Sequence, residues 1–148
     1  MRLLYEDGNA KEGIRVHERE RLTDAELKIM HVLWARAPST MPEITKALAA
    51  ETGWTRHTVI GLLKRMIEKG TVRVEEGEGL KRYHPLVQRE AVQREQTDAL
   101  VGRLFGGDVL KMVSNIVDGG ALDDAELDAL SRMLDEARRR EKREGPGR

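Results

Sequence analysis

A chain of 148 residues with 39% hydrophobic and only 3% aromatic content can form one ordinary domain or two small ones, with a core of Leu, Val, Ile, Met and Ala. Its 26 basic and 26 acidic residues cancel, and the lack of cysteine excludes disulfides and thiolate metal sites while suiting a reducing compartment. No apolar run approaches the roughly 20 residues that span a bilayer, and no basic-then-apolar leader opens the chain, so a cytoplasmic protein without membrane insertion is expected.

Residues 1–20 carry apolar side chains too scattered to make a face, and are expected to be a flexible arm. Thr23-Asp-Ala-Glu26 has capping-box form, a hydroxyl and a carboxylate that satisfy first-turn N–H groups reciprocally. Leu27, Met30, Leu33, Trp34 and Ala37 follow along one side of a helix that must stop before Pro38. Thr40 and Glu43 repeat the box ahead of a second helix, whose apolar face is Ile44, Ala47 and Leu48 and whose stop is Gly53. Over residues 54–70, Val59, Leu62, Leu63, Met66 and Ile67 recur at i, i+3, i+4, i+7 and i+8, one continuous helical stripe. Thr55 stands at the N-cap and Gly70 where a left-handed residue would end the helix. With the stripe turned inward, His57, Gly61, Lys64 and Glu68 point outward, flanked by Arg65, with Arg56 in the first turn.

The period then changes. Residues 71–75 alternate with Val72 and Val74 on one side, Glu76-Gly-Glu-Gly79 is turn material, and residues 80–84 form a second short strand before Pro85. Three short helices and a β-hairpin predict a winged helix-turn-helix over residues 21–87. A helix with short polar and basic groups at its N-terminal end suits a DNA major groove. Thr55, Lys64 and Arg65, with Lys81 and Arg82 near the wing tip, are placed to reach phosphates, which fixes register without reading sequence. For the two wing residues a solvated hairpin edge is the plainer alternative.

Beyond residue 88 three more helices are expected. Ala91, Val92, Ala99, Leu100 and Leu104 mark the first, and Gly106-Gly107 breaks it. Val109, Met112, Val113 and Ile116 mark the second, and Gly119-Gly120 breaks that. Asp123 or its neighbour caps the last, whose apolar side is Leu127, Leu130 and Leu134 and whose acid-first, Arg138-Arg-Arg140-last polarity the helix dipole favours. These helices hold too few large apolar residues for a core of their own. The expectation is a mainly α protein in which residues 88–140 form a helical dimerisation domain, with Leu100, Leu104, Met112, Ile116, Leu127, Leu130 and Leu134 at the shared interface. A monomer whose helices fold back on the winged domain is the alternative. Residues 141–148 are expected to be a disordered tail.

Charge is segregated along the chain. Residues 55–73 carry Arg56, Lys64, Arg65, Lys69 and Arg73 against Glu68 alone, whereas residues 118–136 carry seven carboxylates against Arg132 alone. A phosphate-binding module joined to one with another task would show this pattern.

These motifs together resemble the penicillinase and methicillin-resistance repressors of the BlaI/MecI type. The likeness lies in Leu22-Thr-Asp-Ala-Glu26, Val32-Leu-Trp34, Trp54-Thr55, Thr58-Val59, Leu62-Leu-Lys-Arg65, Lys69-Gly70, Arg82-Tyr83, Pro85-Leu-Val87, Gly106-Gly107 and Leu122-Asp-Asp-Ala-Glu-Leu127. It implies a cytoplasmic homodimeric repressor on an inverted-repeat operator of double-stranded DNA, with base contacts falling on Arg56, His57, Thr58 and Gly61. Members commonly carry Thr where this chain has Gly61, so one base contact is missing or replaced. In antibiotic-resistance members a membrane sensor metalloprotease signals and the repressor is cut between Asn and Phe in its C-terminal domain. By position that bond lies between Asn115 and Ile116, with Ile in place of Phe. A copper-responsive branch uses a cysteine motif that this chain lacks.

No catalytic constellation or cofactor site is expected. His17, His31, His57 and His84 form no ligand spacing, and Ser39, Ser114 and Ser131 stand in no nucleophile-elbow context. The competing functional readings are a winged helix used for protein–protein contact or for sensing a small ligand, and, further off, a small hydrolase.

Overall fold

In the computed structural model, residues 21–145 are described. The expected arm over residues 1–20 and the last three residues of the expected tail lie outside them. The chain divides into two compact units, one ending at Val92 and the other starting at Gln93.

The first unit is a winged helix. Helix α1 (Asp24–Ala35) starts at Thr23 and helix α2 (Met41–Thr52) at Thr40, both with complete capping boxes closed by Glu26 and Glu43. Gly53 ends α2 in the left-handed conformation, at φ +68°. Helix α3 (Arg56–Lys69) starts three residues later with Thr55 as N-cap. Gly70 ends it at φ +84°, and the N–H of Thr71 bonds back to Met66 O at 3.0 Å, so the chain turns out of the helix directly into a strand.

Strands β2 (Val72–Glu75) and β3 (Arg82–Pro85) make the wing, joined by a loop over residues 76–81. A third strand, β1 (Ser39–Thr40), pairs with β3 on its other side, giving an antiparallel sheet in the order β1-β3-β2. The sequence carries no sign of β1. Two residues are too few to alternate, and the extended backbone that lets Thr40 cap α2 also lets it bridge to Arg82.

One apolar core joins these elements. Ile29, Met30 and Leu33 of α1, Ile44 and Leu48 of α2, and Val59, Leu62, Leu63 and Met66 of α3 are buried, with Val72 and Tyr83 from the sheet. Each such side chain contributes about 1.5–3 kcal/mol. Three expectations need correction. Ile29 is fully buried, whereas Leu27 and Trp34 are half-buried and Ala37 and Ala47 are exposed. Ile67 is 37% exposed, because the inward stripe of α3 ends one residue earlier, at Met66. The hairpin begins one residue later than expected and its second strand two residues later, which puts Leu80 and Lys81 in the loop. Trp34 has a polar duty as well. Its indole N–H donates to Val87 O at 3.0 Å and its ring lies under the Arg89 guanidinium, tying the exit from the wing to α1.

The second unit is helical. The unit boundary falls within α4 (Arg89–Phe105), and α5 (Val109–Asp118) and α6 (Asp124–Glu144) follow. Asp108 caps α5, and Asp123 caps α6 in a box with Glu126. Helix α6 runs four residues past the expected boundary at 140, with Lys142 and Arg143 in its last turn, where cations oppose the unpaired carbonyls. Among the described residues of this unit only Val101 is buried. No described helix is long and apolar enough to cross a membrane.

Candidate nucleic-acid interface

Helix α3 has two unlike sides. Val59, Leu62, Leu63 and Met66 fix one in the core, so the helix cannot roll, and the opposite side carries His57, Gly61, Lys64 and Glu68 in the open. Arg56, His57 and Thr58 fill the first turn, all exposed. Thr55 uses its hydroxyl on the Thr58 amide, so it is engaged as a cap. Among the described residues Arg56, His57 and Lys64 form no ion pair and no side-chain hydrogen bond. Arg56, in the first turn where the helix dipole adds positive potential, and Lys64 two turns further along form a surface for a polyanion.

Gly61 lies at the middle of this face with helical backbone, and a Cβ placed there would meet nothing within 4 Å. Nothing inside the protein therefore requires a glycine. Gly61→Ala should stabilise the fold by about 0.5–1 kcal/mol, since glycine is among the poorest residues for a helix interior. Urea denaturation of the two proteins checks this, and a loss of stability would mean that the helix is distorted there.

The remaining expected phosphate contacts are less free. Arg65 lies 4.0 Å from Glu26 Oε2. Lys81 lies 3.8 Å from Glu76 across the wing loop. Arg82 acts on two carboxylates: Glu43 is held below the ordinary carboxylate range chiefly by the Thr40 amide, Glu75 chiefly by the His84 ring, and Arg82 lowers both further. Arg73, Lys81 and Arg82 thus face Glu75, Glu76 and Glu78 within one hairpin. The wing has no net charge, and the electrostatic attraction comes from α3.

Glu26 was legible in the sequence as a cap, and it has a second role. Fully buried, it accepts from the Thr23 amide at 3.0 Å and from Lys69 Nζ at 2.8 Å, while its Oε2 has no hydrogen-bond partner. Since Lys69 is in the last turn of α3, this pair fastens the end of the exposed helix to the start of α1. No local pattern could disclose a partner 43 residues away.

Of the residues expected at a dimer interface, Leu104, Ile116, Leu127 and Leu134 are exposed, whereas Leu100, Met112 and Leu130 are partly covered. All seven lie in the second unit. Asn115 and Ile116 are both exposed on α5.

The penicillinase repressor family model matches residues 22–136. The chain belongs to the penicillinase repressor family. This is a family of DNA-binding transcriptional repressors and not of enzymes. The penicillinase repressor of Bacillus licheniformis is 25% identical over 122 residues, 82% of this chain and 95% of the relative. The methicillin resistance regulatory protein MecI of Staphylococcus aureus is 20% identical over 113 residues, 76% of this chain and 92% of the relative. Among solved structures, the DNA-binding domain of the repressor BlaI is similar at 27% identity with a TM-score of 0.44, covering 47% of this chain and 85% of that one. The monomeric form of Bacillus licheniformis BlaI in complex with the blaP half-operator is 28% identical with a TM-score of 0.42, covering 47% and 84%.

Proposed function

We propose that this penicillinase repressor family member acts as a homodimer on an inverted-repeat operator, each α3 lying in a major groove with Arg56, His57, Thr58 and the open step at Gly61 against the base edges. Lys64 and Arg65 then meet phosphates on either side, with Thr55 at the helix start and Lys81 and Arg82 as minor additions from the wing. The observation that carries this reading is that Arg56 and Lys64, without an ion pair among the described residues, stand on the side of α3 that the core leaves free. Pairing of two chains through the second unit is supported by its having one buried side chain among the described residues, Val101, beside exposed Leu104, Leu110, Leu127 and Leu134. Two-fold symmetry then sets two α3 helices about one helical turn apart.

Release from DNA by proteolysis fits the same arrangement. The bond between Asn115 and Ile116 lies in a ten-residue helix bounded by Gly106-Gly107 and Gly119-Gly120. A helix that short opens locally at little cost, and a cut there by a membrane sensor metalloprotease or a protease it commands would divide the second unit.

Binding of the full chain to a duplex selected from a randomised pool, followed over a range of salt, tests the reading. A dimer that neutralises about eight phosphates should show a log–log slope near −7. Arg56→Ala combined with His57→Ala should lower affinity for the selected duplex roughly 100-fold, and for random duplex only several-fold, because base-edge contacts are lost. Equal losses on both duplexes would remove the base-reading role. A slope near zero would favour a protein or small-ligand partner instead.

A further inference from the structure

The exposed side of α3 holds one residue that the charge pattern passes over. Ile60 is three residues after His57 and four before Lys64, so it shares their side of the helix, and it is 41% exposed. It is not among the partly buried apolar residues that pack against the core. A single exposed isoleucine on a protein surface needs no explanation. Its neighbours here supply one: a cation a turn before it at Arg56, another a turn after it at Lys64, and beside it Gly61, where even a Cβ would stand in open space.

We propose that Ile60 is a specificity-determining residue that reads the 5-methyl group of a thymine in each half-site, the missing side chain at Gly61 letting the base edge come close enough for contact. This rests on α3 lying in the major groove. Thymine is the base that presents an apolar group there, and an aliphatic side chain is the natural complement to it. Arg56 on a neighbouring base edge and Lys64 on a phosphate set the depth of insertion, and a side chain at position 61 would hold the groove floor away from Ile60. The read position would be insensitive to salt, because no charge takes part.

The experiment uses the full chain and duplexes it enriches from a randomised pool. Each thymine is replaced in turn by deoxyuridine, which keeps the pairing and removes only the methyl group. One position per half-site should then bind about four-fold more weakly, as expected for one buried methyl, and about fifteen-fold more weakly when both half-sites are changed. Ile60→Ala should bind the thymine duplex with that same deficit and lose the discrimination, so that thymine and uracil duplexes differ by less than about two-fold, with the salt slope unchanged. Ile60→Val should keep part of it. No uracil-sensitive position, or an Ile60→Ala protein as sensitive as the parent, overturns the assignment while leaving operator binding in place. A pool that yields no enriched sequence overturns it together with the operator reading.

Discussion

Leu127→Asp combined with Leu130→Asp is expected to leave the protein monomeric and to lower its affinity for a two-half-site operator by at least about 100-fold. Leu127 is 39% exposed and Leu130 half-buried, and with Leu134 they form an i, i+3, i+7 stripe on α6, a helix with no buried residue. Covering a leucine stabilises an association by about 1.5–3 kcal/mol, and a two-fold interface counts each substitution twice. Since only about a third of each side chain is left to cover, four leucines lost per dimer amount to roughly 2–4 kcal/mol, a factor of about 30 to 1,000 in the dissociation constant. Aspartate adds desolvation and like-charge repulsion across the axis, in a stretch where Asp123, Asp124, Glu126 and Asp128 already crowd together. Both substitutions lie outside the core of the winged unit, so its thermal transition should be unchanged. Sedimentation velocity gives the state of association and fluorescence anisotropy the affinity. A double variant that still sediments as a dimer would move the interface to another surface, the exposed Val109, Leu110 and Val117 of α5 being the next to test.

Why the winged unit was so legible follows from the range of the interactions that define it. Thr23 with Glu26, Thr40 with Glu43, Thr55 capping the start of α3 and left-handed Gly70 ending it are contacts or conformations that each involve only a few residues, and each stands where the sequence implied. Where a helix starts and stops is set by such local contacts, whereas its rotation about its own axis is set by partners distant in the chain. Helix α1 is packed by α2, α3 and the sheet, so its buried side is wide and takes in Ile29 besides the expected Met30 and Leu33. Ile67 fails for the opposite reason, since the stripe of α3 continues past the elements that cover it.

The site divides in the same way. Arg56, His57 and Lys64 could be assigned to the free side of α3 once its core side was known. The reduced availability of Arg65 could not, because it depends on Glu26, 39 positions earlier in the chain. The wing is an intermediate case. Its balanced charges, three carboxylates against three cations, are visible in the sequence, and they imply that the hairpin brings little net charge to DNA. In the second unit the helix limits followed from paired glycines, Gly106 and Gly107 at positive φ and Gly120 likewise, because glycine adopts that conformation without the Cβ clash other residues suffer.

Glu26→Ala is the substitution expected to cost the winged unit most for its size, about 3 kcal/mol by urea denaturation. The carboxylate is buried, and its removal leaves the Lys69 ammonium, itself only 22% exposed, with no anion beside it. Half of the α1 capping box goes too, since the Thr23 amide loses its acceptor. Stranding a mostly buried charge, rather than losing an attractive pair, dominates the cost, and this makes a sign prediction. Lys69→Met alone should also be strongly destabilising, because it strands Glu26 in turn, whereas Glu26→Leu with Lys69→Met should recover much of the loss by exchanging two desolvated charges for apolar contact. The cycle formed by these variants should give a coupling above about 1 kcal/mol, against the few tenths expected of an exposed pair. The double variant also separates stability from function. It restores the fold without the tie between the end of α3 and the start of α1, so its preference for the selected duplex over random duplex should fall while its salt slope stays near that of the parent. Additive single losses would show that Glu26 acts through the cap alone, and undiminished discrimination in the double variant would show that the core by itself holds α3 in position.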